Sequence, residues 1–160
     1  MTDVHGAPDA RILTLRGASR DLGCLWFHTD RRSRKVFELR ARPEVCAVSY
    51  DGRDGIQLRV WGSASLHDDD RLADQHWEQI DMAARYAYSL DIKPRITRRD
   101  PCLRAERERL SQDDSIIGRA NFVVLAVAVS AVDWLQVNTL GQRHGVMRAD
   151  DHWRALPLAA

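Results

Sequence analysis

Two lysines, three cysteines and no apolar run of membrane-spanning length leave this sequence short of three things, and each shortage excludes something. Cys24, Cys46 and Cys102 are odd in number and lack metal-ligand spacing, so neither a disulfide framework nor a metal site is expected, and they read as reduced thiols of a cytoplasmic protein. The first residues, Met1 to Pro8, have no basic stretch followed by an apolar one, and no run approaches the roughly 18 apolar residues of a membrane span. No membrane partner is expected. Charge of one sign is missing too: 24 basic residues against 23 acidic ones give a formal net charge of +1. No global field draws the chain to nucleic acid, so any anion site must be local. Because every basic residue other than Lys35 and Lys93 is arginine, Lys35 stands out, for a compact ammonium and a planar guanidinium grip an anion differently.

What is present suits one soluble domain spanning 1–160: 44% hydrophobic and 29% charged residues in 160 positions can bury a sizeable core. Periodicity predicts a strand over Ala10–Arg16 and another over Cys24–Thr29, then a helix from Val36 that stops before Pro43. Val45–Tyr50 is of strand length. Ile56–Ala64 alternates, with Ile56, Leu58 and Val60 on one face and Gln57, Arg59 and Trp61 on the other, and Gly62 marks a bulge or a close approach. Asp68 to Leu90 reads as one helix, 91–119 as a charged surface excursion with a short helix at Leu103–Leu110. Ala120–Val129 and Ala131–Val137 read as two strands, and Gly141–Arg148 with His152–Leu156 as a terminal hairpin. Antiparallel strands with few helices imply a β-barrel or sandwich carrying inserted helices.

The run Thr29-Asp30-Arg31-Arg32-Ser33-Arg34-Lys35 lies where a strand turns into a helix. Such a turn aims backbone N–H groups and the positive end of a helix dipole at one spot, and Arg34 and Lys35 add two cations there, the outline of a phosphate site. The same residues also describe solvated cations on a first helical turn.

Gly6-x-Pro8-x-x-Arg11-x-x-x-Leu15-Arg16, Phe27-x-Thr29-x-x-x-Ser33-Arg34-Lys35, Pro43, Gln57-x-x-Val60-x-Gly62 and Asp133-Trp134-Leu135-Gln136 together resemble the pyridoxamine 5′-phosphate oxidase family. The resemblance implies a split β-barrel that binds FMN at the interface of a homodimer and transfers hydride between flavin and a small-molecule substrate. It implies that Arg11, with Ile12 beside it, opens the cofactor-binding strand and that Arg16 ends it. His28 and Thr29 would contact the flavin, Ser33, Arg34 and Lys35 the phosphate, and Gln57 the isoalloxazine edge. Trp134 would come from the second subunit. Arg16, Arg143 and His144 are the candidates for facing substrate; no catalytic acid or base is assigned.

Three departures from the family pattern stand out. The Gly-x-Pro turn begins a few residues after Met1, so the family's first strand is expected to be missing, through a late start or a barrel that closes without it. The family's substrate-phosphate residues have no counterparts near Tyr86–Asp91, and Arg16 replaces a lysine. Vitamin B6 oxidation is therefore not the first expectation. The alternative function is a flavin- or haem-binding split barrel without turnover.

Overall fold

A computed structural model describes residues 1–90 and 112–158, apart from Val4, Leu22 and Leu140. The architecture is a single antiparallel sheet with helices on its faces. Strands β1 (Leu15–Ser19), β2 (Cys24–Asp30), β3 (Glu44–Asp51), β4 (Ile56–His67) and β5 (Phe122–Asn138) are ordered β1-β2-β5-β4-β3. Two more, β6 (Gly141–Arg148) and β7 (Leu156–Leu158), continue from β5. The helices are α1 (Arg34–Ala41), α2 (Arg71–Glu78), α3 (Met82–Ser89) and α4 (Gln112–Asn121).

Strand β5 is the spine. Its first half pairs with β2 and β4, and its second half with β4 and β6. Phe122 to Val127 are buried without interruption because both faces of the sheet are covered there. On one face Phe122 and Val124 pack with Ala73 and Trp77 of α2. On the other, Leu125 and Val127 pack with Leu39 of α1, Leu25 and Phe27 of β2, and Leu13.

The alternation expected along β4 is observed, since Leu58 and Val60 lie opposite Trp134 and Val132 whereas Gln57 and Arg59 lie opposite Leu135 and Asp133. Gly62 satisfies both expectations attached to it. The register slips between Trp61 and Gly62, leaving Ser130 bulged from β5, and a Cβ on Gly62 would lie 2.3 Å from the Ala128 carbonyl oxygen.

Four expectations are corrected. The first strand begins at Leu15, not Ala10: pairing with β2 slips at Arg16 and ends at Leu15 opposite Phe27, after which Arg11 leaves the sheet to meet α1. The helix expected over Asp68–Leu90 is two helices, because Asp70 and Asp81 each cap a new start, accepting from the Ala73 and Ala84 amides. Ala120 and Asn121 end α4, and the two strands expected after them are one continuous β5, bent at Ser130. The last strand is Leu156–Leu158 because His152 and Trp153 take left-handed backbone angles (φ 48° and 60°) in a turn. The helix expected at Leu103–Leu110 lies outside the described residues.

Candidate functional site

The end of β2 and the start of α1 form the centre of the site. Ser33 is the N-cap of α1, yet its side chain caps no amide. Its hydroxyl instead accepts from Lys35 Nζ at 2.7 Å, and the Thr29 hydroxyl accepts from the same ammonium at 2.9 Å. The first turn of α1 contains no acidic residue, so its positive dipole end is uncompensated from within.

Each of the neighbouring arginines has a carboxylate at ion-pair distance. Arg31 lies 3.3 Å from Asp68, and Arg32 grips Asp30 with Nε and Nη2 at 2.9 and 2.6 Å. Arg32 also donates to the Leu90 carbonyl at 2.9 Å, clamping the turn to the end of α3, so it is structural. Arg34 Nε stands 2.7 Å from Glu38 Oε1, and Arg34 Nη2 3.8 Å from Asp3. Among the described residues Lys35 has no carboxylate at ion-pair distance; burial first and the Arg11 charge second lower its proton affinity, and Asp30 and Glu38, acting from farther away, offset this only in part.

Arg11 completes this cluster. Its Nη2 donates to Glu38 Oε2 at 2.8 Å and also meets Asp9, while its Nε is buried without a hydrogen-bond partner among the described residues. Asp9, Arg11 and Lys35 together form the charged end of a groove of about 410 Å³, whose remaining walls are mostly apolar, including Leu13, Phe27, Leu39, Val45, Leu125 and Val127. Cys46 also lines it. A mostly apolar groove with a few convergent polar groups is the usual form of a small-molecule site.

The structure thus brings together Arg11, Thr29, Ser33, Arg34 and Lys35. Ile12 borders the groove but is 99% exposed. The other residues singled out in the sequence lie elsewhere in one chain. His28 alternates with Thr29 along β2 and packs beneath α2: its Nε2 is 3.0 Å from His76 Nδ1, and its ring meets Phe122 edge-on at 4.9 Å. Burial, with lesser repulsion from His76 and Arg16, pushes the His28 imidazole down to about 4. Arg16 is exposed on that side and acts on Tyr88 as well, whose phenol burial pushes up to about 12.

Gln57 and Trp134 take opposite faces of the sheet, since Trp134 lies across from Leu58 and Gln57 from Leu135. Trp134 is also 11 positions along β5 from Val123, the partner of Thr29, which is roughly 36 Å of strand. The Arg143 guanidinium lies 5.9 Å from the centre of the Trp134 ring, and Gly145 opposite leaves room for the indole. His144 Nε2 is 3.1 Å from Asp133, which Arg59 also contacts at 2.8 Å. Burial raises the Asp133 carboxyl, but those two partners outweigh it and hold it below the usual range.

Sequence reasoning missed Glu38 and His76. The signal for Glu38 was its i,i+4 spacing from Arg34, which normally describes an exposed pair; nothing in the pattern showed that this carboxylate is fully buried. His76 is brought to His28 only by the packing of α2 on β2.

Comparisons with known proteins bear on the fold and the family. Among solved structures, a pyridoxamine 5′-phosphate oxidase-related, FMN-binding protein from Nostoc punctiforme superposes with a TM-score of 0.77 at 24% identity, over 99% of this chain and 84% of that one. PhzG from Burkholderia lata, solved with tetrahydrophenazine-1-carboxylic acid, gives 0.74 at 18% identity over 99% and 79%. A protein from Clostridium acetobutylicum related to general stress protein 26 gives 0.51 at 13% identity over 94% and 82%. These likenesses establish the split-barrel fold. Comparison with the curated proteins gave no match. The family model for pyridoxamine 5′-phosphate oxidase matches residues 2–133, a span that runs from the groove wall through the Ser33-Arg34-Lys35 turn into the second half of β5, and on that match the chain belongs to the pyridoxamine 5′-phosphate oxidase family.

Proposed function

We propose that this chain binds FMN with the phosphate at Lys35 and the ring system toward the apolar groove, and that its homodimer is an FMN-dependent oxidoreductase of a small-molecule substrate in the cytoplasm. The observation that carries the reading is Lys35: a partly buried ammonium, held by two hydroxyls, with no carboxylate at ion-pair distance among the described residues. Such a cation is under-compensated, and a phosphate dianion beside a helix N-terminus is the ligand that would compensate it. The buried, unpartnered Nε of Arg11 at the same end of the groove fits the same group.

Bound FMN would supply the hydride-transferring centre. The chain's own tasks are to anchor, orient and desolvate: Lys35, Ser33, Thr29, Arg34 and Arg11 fix the phosphate end, and the groove excludes water from the apolar part. Gln57 and Trp134, on opposite faces and far along the sheet, fit one flavin best if two subunits contribute, Trp134 coming from the second. Arg143, stacked on Trp134, would travel with it and draw an anionic substrate. His144 is committed to Asp133 and serves to hold that wall. What favours flavin over haem is the Arg11 and Lys35 pair at the end of the groove, which suits a phosphate.

The test is the absorbance spectrum of protein incubated with FMN and desalted, recorded across a size-exclusion peak, followed by anaerobic addition of candidate reductants. Flavin co-eluting with a dimer and bleached by a small substrate supports the reading. Colourless protein at dimer or monomer volume overturns it.

A further inference from the structure

Glu38 has the least expected environment in the molecule. It sits in the middle of α1 between the core residues Val36 and Leu39, and its side chain has no solvent exposure. A carboxylate in such a place is costly unless its partners satisfy it, and an apolar residue of similar volume would serve a purely structural role as well or better. Its partners are the two guanidiniums of the phosphate end: Arg11 donates to Oε2 at 2.8 Å, and Arg34 Nε lies 2.7 Å from Oε1 as an ion pair without hydrogen-bond alignment. On charge alone, a buried anion beside an anion site is counterproductive. Its presence makes sense if geometry is what it supplies.

We infer that Glu38 is a positioning residue, a buried strut that holds the Arg11 and Arg34 guanidiniums against the first turn of α1 so that their remaining N–H groups converge on the phosphate. This rests on the FMN reading above. One carboxylate with two oxygens can hold two forked donors at fixed angles, whereas an amide offers one acceptor and turns its NH₂ group, a donor, toward the other arginine. The strut view and a simple charge view therefore make opposite predictions for Glu38→Gln. Removing the negative charge should tighten FMN if net charge governs, and weaken it if orientation governs.

The experiment compares FMN with riboflavin, which lacks the phosphate, by fluorescence titration of the apo full-length protein, its Glu38→Gln variant and its Glu38→Asp variant. Glu38→Asp keeps the charge but draws the carboxylate back by one methylene from both arginines, so it tests the same point if Glu38→Gln does not fold. Both variants should lose FMN affinity by roughly tenfold or more, the worth of a charge-assisted hydrogen bond, with riboflavin affinity unchanged. FMN bound as tightly as by wild type, or more tightly, overturns the inference, and so does an equal loss for both flavins. A wild-type protein with no preference for FMN over riboflavin overturns the phosphate-site reading and the strut with it.

Discussion

Lys35 hydrogen-bonds the Ser33 hydroxyl at 2.7 Å, the very group that would otherwise cap the helix to which Lys35 belongs. The cap is thus diverted to hold a cation, and the first turn of α1 is left open to an anion. Ordinary helix stability would favour Ser33 bonding the backbone. The arrangement looks like stability exchanged for a binding site.

That exchange makes Lys35→Met informative. In the absence of flavin the variant should melt at the same temperature as wild type or higher, by at most about 1 kcal/mol, because a partly desolvated cation is replaced by an apolar side chain in a partly open site. The rise in melting temperature on adding FMN should vanish. Differential scanning fluorimetry with and without FMN reads both effects, and a large drop in the flavin-free melting temperature would contradict the assignment.

The His28–His76 pair predicts an acid-sensitive fold. Burial lowers the His28 imidazole from 6.5 to about 4, and it lowers His76 too, so both are neutral in the folded state at neutral pH. A base whose folded value is depressed contributes stability above its unfolded value of about 6.5 and loses it as pH falls toward the folded one. Chemical denaturation should therefore show stability declining between pH 6.5 and pH 4. His28 should account for roughly 1–2 kcal/mol of it, reduced by solvent screening at this half-buried ring. His28→Phe, which preserves the ring contact with Phe122, should flatten that slope; an unchanged slope would rule the pair out as its source.

Gly62→Ala tests the bulge. The added methyl would lie 2.3 Å from the Ala128 carbonyl oxygen and 2.8 Å from a Val127 methyl, against backbone that cannot move without opening the β4–β5 ladder. A loss of about 2–3 kcal/mol in urea unfolding is expected, in the range of overpacked core positions. A loss below about 0.5 kcal/mol, typical of unconstrained surface sites, would show that the ladder is not close-packed there.

Gly145→Val tests the role of Trp134. A Cβ at position 145 would meet the indole at 2.7 Å from Nε1, so the larger side chain must displace the ring. If Trp134 reaches a flavin bound by the other subunit, FMN and riboflavin affinities should fall together, by about tenfold, because the phosphate end is untouched. A fall confined to FMN would place Trp134 at the phosphate instead.

The fold was largely legible in the sequence where periodicity and local chemistry agree. The strand into helix at Thr29–Val36, the stop before Pro43, the alternation from Ile56 and the disturbance at Gly62 all follow from rules acting within a few residues. The misreadings arose where a competing signal was weak in isolation. Asp81 looked like one more polar residue in a helical pattern until its side chain was seen capping a new helix. Ala10–Arg16 has the length and apolar centre of a strand, but pairing is a property of two strands, and the pairing with β2 stops at Leu15. Of the site, the cations were visible as residues, but their partners were not. That Arg31, Arg32 and Arg34 have carboxylates at ion-pair distance while Lys35 has none among the described residues depends on contacts with Asp68, Asp30 and Glu38, which only folding brings into place.

The most direct test of the central claim is the amount of FMN retained after desalting by the wild-type protein and by the Arg34→Ala/Lys35→Ala double variant, each collected across its size-exclusion peak. Near-stoichiometric flavin on the wild type and none on the variant, with circular dichroism unchanged, is the predicted result. Flavin retained equally by both would mean that the first turn of α1 does not hold the phosphate.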